Sequence, residues 1–186
     1  KTGADHQVLT DRQRVFGDQR CNQCGGDEGE AAIEHGWHVA LAEDDQADPR
    51  TATIVAQKMV DQHVAGVLGH LNSGTSIPAS KIYFDAGIPQ VSPSATAIAY
   101  TAQGFKTSFR VMTNDRQQGK VLGEYAVNKL GANRIAIIDD RTAYGQGLAD
   151  EMAKAARDAG GEIVAREFTT DRSTDFLAIL TSIKSK

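Results

Sequence analysis

The chain has 186 residues, of which 40% are hydrophobic, 24% charged and 6% aromatic. This composition is typical of a folded globular protein and excludes collagen, a coiled coil and wholesale disorder. With 20 Lys and Arg against 24 Asp and Glu, the formal net charge is -4, so no overall positive field attracts nucleic acid or anionic lipid. We therefore expect neither nucleic acid nor a membrane surface as a partner.

Residues 1–37 show neither a helical nor a strand period, so no strand is placed there, and either an isolated sheet edge or a disordered arm fits the pattern. Cys21 and Cys24 in this stretch are followed by His35 and, just beyond it, His38. The four could close a tetrahedral zinc site, and the cysteines alone could form a redox pair. Ten residues separate Cys24 from His35 and two separate the histidines, fewer than the roughly twelve and three to five of common zinc sites. The spacing therefore favours incidental residues over a metal site.

From residue 38 onward, short apolar or β-branched runs alternate with amphipathic helical stripes. The predicted strands are 38–44, 65–71, 88–94, 134–140 and 162–169. The predicted helices are 49–63, 117–131, 144–161 and 174–186, with a further helix near Pro78. Strands that alternate with helices predict an α/β fold with doubly wound parallel sheets, because parallel strands need helical crossovers.

The stretch 105–115 breaks this alternation, since it looks extended and has polar flanks. It is typical of a crossover between two α/β units. We therefore predict a first lobe at 1–110, a crossover at 111–115 and a second lobe at 116–186.

Two hydroxyl-rich loops follow consecutive predicted strands. Ser73 and Thr75 stand at the start of a helix after strand 65–71, and Ser94 and Thr96 follow strand 88–94. A helix N-terminus attracts a carboxylate or phosphate through its unpaired N–H groups, although Ser73 or Thr75 could also serve only as a helix cap. If the two strands are neighbours, Ser73 and Thr96 can hold a carboxylate while the Ser94 carbonyl accepts from an ammonium. This is binding chemistry without a nucleophile or base.

A third loop, after strand 134–140, places Tyr144 at a helix start beside Gly145 and Gly147. Tyr144 is either a ligand contact or an ordinary surface tyrosine in a turn. The two glycines lack the third glycine of a dinucleotide-binding fingerprint. We therefore predict no nicotinamide cofactor.

Acidic pairs also end two predicted strands, Asp44 with Asp45 and Asp139 with Asp140. They could hold Mg²⁺ for phosphoryl chemistry, but no phosphate loop accompanies them, and such residues commonly cap turns and helices. The serines lie in no nucleophile elbow. The sequence predicts no catalytic residue, no metal and no cofactor.

Three segments closely resemble the branched-chain amino-acid (Leu/Ile/Val) binding proteins, which are periplasmic solute-binding components of ABC transporters. They are DPRTATIVAQKMV (48–60), GHLNSGTSIPASKIYFDAGIPQVSPSAT (69–96) and NRIAIIDDRTAYGQGLADEMAKAARDAGG (133–161). The resemblance runs from about residue 39 to 186. It implies a two-lobed type I periplasmic binding fold, a venus flytrap, which closes on an amino acid and delivers it to a membrane permease unchanged.

By position, the resemblance implies roles for five residues: Ser73 and Thr96 on the ligand carboxylate, the Ser94 carbonyl with Thr96 on the ammonium, Tyr144 over the ligand, and Phe16 in an aromatic-Gly loop. It also implies a periplasmic location. Family members are longer, so the second lobe is expected to be incomplete at the C-terminus. Two alternatives stay open: a zinc- or redox-dependent module built on the Cys and His arm, and an effector-sensing domain of a regulator with the same fold.

Overall fold

A computed structural model describes residues 7–9, 40–170 and 172–186 of the chain. The described residues fall into two compact units. The first contains 7–9, 40–95 and 100–111, and the second contains 96–99, 112–170 and 172–186. How these two units correspond to the predicted lobes stays a prediction.

Strands and helices alternate along most of the described chain. In order they are β1 (Gln7–Leu9), β2 (Ala40–Ala42), α1 (Pro49–Asp61), β3 (Val67–Leu68), α2 (Ser73–Asp85), β4 (Gln90–Ser92), α3 (Ile98–Ala102), β5 (Ser108–Arg110), α4 (Asp115–Asn128), β6 (Arg134–Asp139), α5 (Ala143–Asp158), β7 (Glu162–Phe168) and α6 (Leu177–Lys184).

The first unit is built on a three-stranded parallel sheet in the order β3, β4, β5. Helix α1 begins where the pattern predicts: Asp48 is the N-cap, its side chain accepts from the amide of Thr51, and Pro49 occupies the first turn. The hydrogen bond from the amide of Thr51 lowers the pKa of the Asp48 carboxyl. The helices and the sheet enclose a core of Ala56, Met59, Val64, Val67, Ala79, Tyr83 and Ile88.

The second unit pairs β6 with β7 in parallel and packs α4 against α5. The two helices approach closely because α4 presents Gly119 and Gly123 to the backbone of α5. A Cβ added at Gly123 would lie 2.6 Å from the amide nitrogen of Ala156, so any side chain there would push the helices apart. The core beneath them consists of Ile135, Ile137, Ala149, Ala153 and Ala156.

The structure confirms the α/β class with parallel sheets, and the predicted strands and helices after residue 38 are present; most have shorter bounds, while α4 and α5 begin before their predicted starts. The interpretation of 105–115 as a crossover alone is wrong in part, because Ser108–Arg110 forms β5 and pairs with β4. The sequence does not indicate this strand, because it has only three residues and its pattern is unusual: the apolar Phe109 is exposed and the polar Ser108 is buried. Neither the antiparallel pair of β1 with β2 nor the short helix α3 was predicted.

Candidate functional site

The loops that carry Ser73 and Ser94 follow neighbouring strands. β3 and β4 pair in parallel, with Val67 opposite Gln90 and Leu68 opposite Val91. Their carboxyl ends therefore lie at the same edge of the sheet, which is where ligands bind in open α/β sheets. The sequence argument required the two strands to be neighbours, and the structure shows that they are.

Helix α2 begins at this edge, and the side chain of its N-cap residue does not cap it. Asn72, rather than Ser73 or Thr75, is the N-cap residue, and its side chain makes no capping hydrogen bond. The Thr75 hydroxyl donates to the carbonyl of Asn72 at 3.0 Å. A Cβ added at Gly74 would meet no described heavy atom within 4 Å. Neither Ser73 nor Thr75 is therefore the N-cap residue, although Thr75 bonds within the first turn.

The loop after β4 is held by one side chain. The Ser92 hydroxyl oxygen accepts from the amide of Ala95 at 2.9 Å, while Ser94 itself is exposed. Thr96, two residues further on, is buried, and its hydroxyl makes no hydrogen bond with any described residue. Because buried hydroxyls are nearly always paired, a ligand or a water molecule can supply the hydrogen bond of this hydroxyl.

A chain of buried polar side chains lies beneath both loops. Nδ1 of His70 is 2.6 Å from a carboxylate oxygen of Asp45, and Nε2 is 3.2 Å from the hydroxyl of Tyr83. The main-chain carbonyl of His70 accepts from the hydroxyls of Ser76, at 2.9 Å, and Ser92, at 2.6 Å. The first loop and the second are thus joined at a single oxygen atom.

Asp45, His70 and Tyr83 are each at most 1% exposed, so this arrangement lies beneath the protein surface. Burial, with a smaller contribution from the negative charge of Asp45, raises the pKa of Tyr83. The sequence argument missed this arrangement. Its only sequence signal is that Asp45 directly follows the predicted strand 38–44, while His70 lies near the end of the predicted strand 65–71.

In the second unit, Tyr144 lies in the first turn of α5 and is 42% exposed. Thr142 is the N-cap: its hydroxyl oxygen accepts from the amide of Gly145 at 2.9 Å and donates to Asp140 at 2.7 Å. The turn is therefore held by a short network, and the ring of Tyr144 is accessible to a ligand. Whether Tyr144 contacts one stays a prediction.

The acidic pairs at the strand ends accept backbone amides. Asp44 and Asp45 accept from Gln46 and Ala47, two residues on. Asp139 and Asp140 do the same for the amides of the residues two positions after each of them. Within 40–170 and 172–186, no group of three or more His, Cys, Asp or Glu residues could hold a metal ion. These carboxylates hold turns, as the sequence argument favoured.

Phe16 and the set Cys21, Cys24, His35 and His38 lie outside the described residues. The structure thus brings Ser73 and Ser94 to one sheet edge, buries Thr96, exposes Tyr144 and adds His70 as the link between two loops. Among the helices of the described segments, none is both long and apolar enough to cross a membrane.

Residues 39–186 match the family of periplasmic binding proteins. Leu/Ile/Val-binding protein homolog 1 of Brucella abortus (strain 2308) is 40% identical over 164 residues, which cover 88% of this chain and 42% of the relative. The leucine-, isoleucine-, valine-, threonine-, and alanine-binding protein of Pseudomonas aeruginosa is 35% identical over 166 residues, covering 89% and 43%.

A solved structure shows the same fold with a ligand. The branched-chain amino acid transporter substrate binding protein LivJ from Streptococcus pneumoniae, in complex with isoleucine, is similar with a TM-score of 0.73 and 29% identity, over 84% of this chain and 46% of that one. The leucine binding protein LivK from Thermotoga maritima gives a TM-score of 0.72 and 28% identity, over 76% and 41%. The chain spans less than half the length of the relatives it matches.

Proposed function

Because the chain belongs to the periplasmic binding protein family, we propose that it binds a small branched-chain amino acid as the substrate-binding part of an ABC transporter. The family and its structural neighbours are substrate-binding proteins, so the proposed activity is binding and delivery to a permease without chemical change. A periplasmic location belongs to the same proposal.

The observation that carries the proposal is the parallel pairing of β3 with β4. It brings the start of α2, with the buried Ser73, and the loop that contains Ser94 to one edge of a sheet. A helix N-terminus favours a carboxylate, and a strand-end carbonyl favours an ammonium. A free amino acid carries both groups on one carbon atom.

Within this proposal, Ser73 and Thr96 bind the ligand carboxylate, while Thr96 and the carbonyl of Ser94 accept from its ammonium. The buried and unpartnered hydroxyl of Thr96 supports this role, since a ligand would supply the hydrogen bond that no described residue provides. Tyr144 and Phe16 are the proposed contacts from elsewhere in the chain.

The first experiment is calorimetric titration of the chain with leucine, isoleucine and valine. We expect saturable binding, and we expect Thr96→Val to weaken it about 10-fold to 100-fold, because a hydrogen bond to a charged group contributes about 1.5–3 kcal/mol. Valine matches threonine in shape, so the change removes the hydroxyl and little else.

Thr107→Val is the matched control. The Thr107 hydroxyl is also buried without a partner among the described residues. Thr107, however, precedes β5, so it lies at the amino end of the parallel strands, whereas the loops follow their carboxyl ends. This variant should bind with unchanged affinity. A folded chain that gives no heat with any of the three amino acids would contradict the proposed function, and equal losses in both variants would contradict the role of Thr96.

A further inference from the structure

We propose that His70 is a positioning residue, which holds the two ligand loops of the first unit in one fixed arrangement through its main-chain carbonyl oxygen. The inference rests on the proposed function and names a residue outside the predicted ligand contacts. All the groups that carry it lie in the first unit and are described.

Two hydroxyls converge on that oxygen from different elements. Ser76 donates from the first turns of α2, three residues after Ser73. Ser92 donates from the end of β4, and the same Ser92 oxygen accepts from the amide of Ala95, next to Ser94. A shift of the His70 carbonyl would therefore move both loops, since each is bonded to the same acceptor.

The imidazole of His70 fixes the position of that carbonyl. Asp45 accepts from Nδ1 at 2.6 Å, and its second oxygen accepts from the amide of Ala47 at 2.8 Å, so the carboxylate is itself held in place. On the other side of the ring, Nε2 lies 3.2 Å from the Tyr83 hydroxyl, so each ring nitrogen has a hydrogen-bonding partner. The ring is thus held at both ends, by the turn after β2 and by α2.

This chain of polar groups is not explained by packing alone. Taking an acid, an imidazole and a phenol out of water is costly, and well-packed apolar side chains of similar volume are often as stable or more stable. Hydrogen bonds, unlike apolar contacts, are directional. The arrangement therefore favours precise placement of the loops over stability.

The first unit contains a matched control for Tyr83. Tyr100 is equally buried, but its hydroxyl donates to the carbonyls of Gln90 and Phe109, within the sheet. Tyr83→Phe and Tyr100→Phe therefore remove the same atom from two fully buried tyrosines, and only the first removes a hydrogen bond to His70.

The test measures leucine affinity by calorimetry for the chain and both variants, with thermal unfolding as a measure of stability. We expect Tyr83→Phe to weaken affinity at least about fivefold more than Tyr100→Phe does, because one hydrogen bond of the positioning chain is lost. Equal effects on affinity, or an effect that follows the loss of thermal stability in both variants, would overturn the proposal.

A second measurement needs no ligand and separates this proposal from the proposed function. Amide hydrogen exchange at Ser76 and Ala95 reports the order of the two loops in the free chain. We expect exchange about fivefold or more faster in Tyr83→Phe, and unchanged exchange in Tyr100→Phe. Unchanged exchange in both variants would overturn the positioning role even where leucine binds, whereas faster exchange in a chain that binds no amino acid would uphold that role and contradict only the proposed function.

Discussion

Different interactions hold the segments of the two units together. In the first, buried polar side chains tie the segments together, and the residues that do so most directly are Asp45, His70, Ser76, Tyr83 and Ser92. In the second, α4 and α5 approach through glycines over a core of Ile and Ala. Directional hydrogen bonds fix where loops lie, while close helix packing fixes the distance between elements. In the first unit, directional hydrogen bonds therefore fix the positions of two loops.

The largest expected effect tests the packing of the second unit. Gly123→Ala would place a Cβ 2.7 Å from the Cβ of Ala155 and 2.6 Å from the amide of Ala156. The helices must separate, and we expect a loss of about 1–3 kcal/mol in the free energy of unfolding. Urea unfolding followed by circular dichroism measures it.

Gly74→Ala is the control for this change. Outside the neighbouring backbone of its own helix, a Cβ added at Gly74 would have no described atom within 4 Å. Alanine also has the higher helix propensity, so stability should be equal or slightly greater. A loss in Gly74→Ala as large as in Gly123→Ala would show that the close approach of α4 and α5 is not the cause.

An intermediate effect is expected at alkaline pH, and it tests the first unit. Burial raises the pKa of Tyr83 and of Tyr100 above the ordinary 10.0. Above pH 10.0 the unfolded chain therefore loses protons that the folded chain keeps, so stability is complete below that pH and falls as the pH rises. The loss approaches about 1.4 kcal/mol per pH unit for each tyrosine.

Chemical unfolding at a series of pH values measures this loss. Tyr83→Phe should remove the share that belongs to Tyr83 and flatten the pH dependence. If the stability of the chain and of Tyr83→Phe falls along the same curve, the ionisation of Tyr83 is not responsible.

The smallest effect concerns the turn that carries Tyr144. Thr142→Ala removes the oxygen that accepts from the amide of Gly145 and the donor to Asp140. We expect a loss of about 1 kcal/mol, the usual contribution of an N-cap side chain. Thr142→Ser keeps the oxygen and should retain most of the stability, so equal losses in the two variants would argue against the cap.

The pattern of apolar residues was sufficient for the main elements after residue 38. Strand 134–140 and helix 144–161, for example, match β6 (Arg134–Asp139) and α5 (Ala143–Asp158) closely, because long elements with one buried face carry a strong period. The short strand β5 and helix α3 escaped the same reasoning. Three to five residues carry too little periodicity to distinguish them from an extended linker.

For the candidate site, the sequence predicted where the hydroxyl-bearing loops lie, because helix starts after strands can be read from Ser, Thr, Asn and Gly. It could not predict that β3 and β4 are neighbours, since strand order depends on how distant segments pair. It also could not predict the bond between Asp45 and His70, which joins residues 25 positions apart.

By itself, the sequence thus determined the α/β class, the family resemblance and the identity of the hydroxyl-bearing loops, all of which depend on local patterns. The tertiary structure decided that the loops of Ser73 and Ser94 share one sheet edge, and that a buried histidine joins them through one carbonyl oxygen. The physical reason is that hydrogen bonds depend on positions in space to within a few tenths of an ångström, whereas the pattern along a chain fixes only which face of an element is buried.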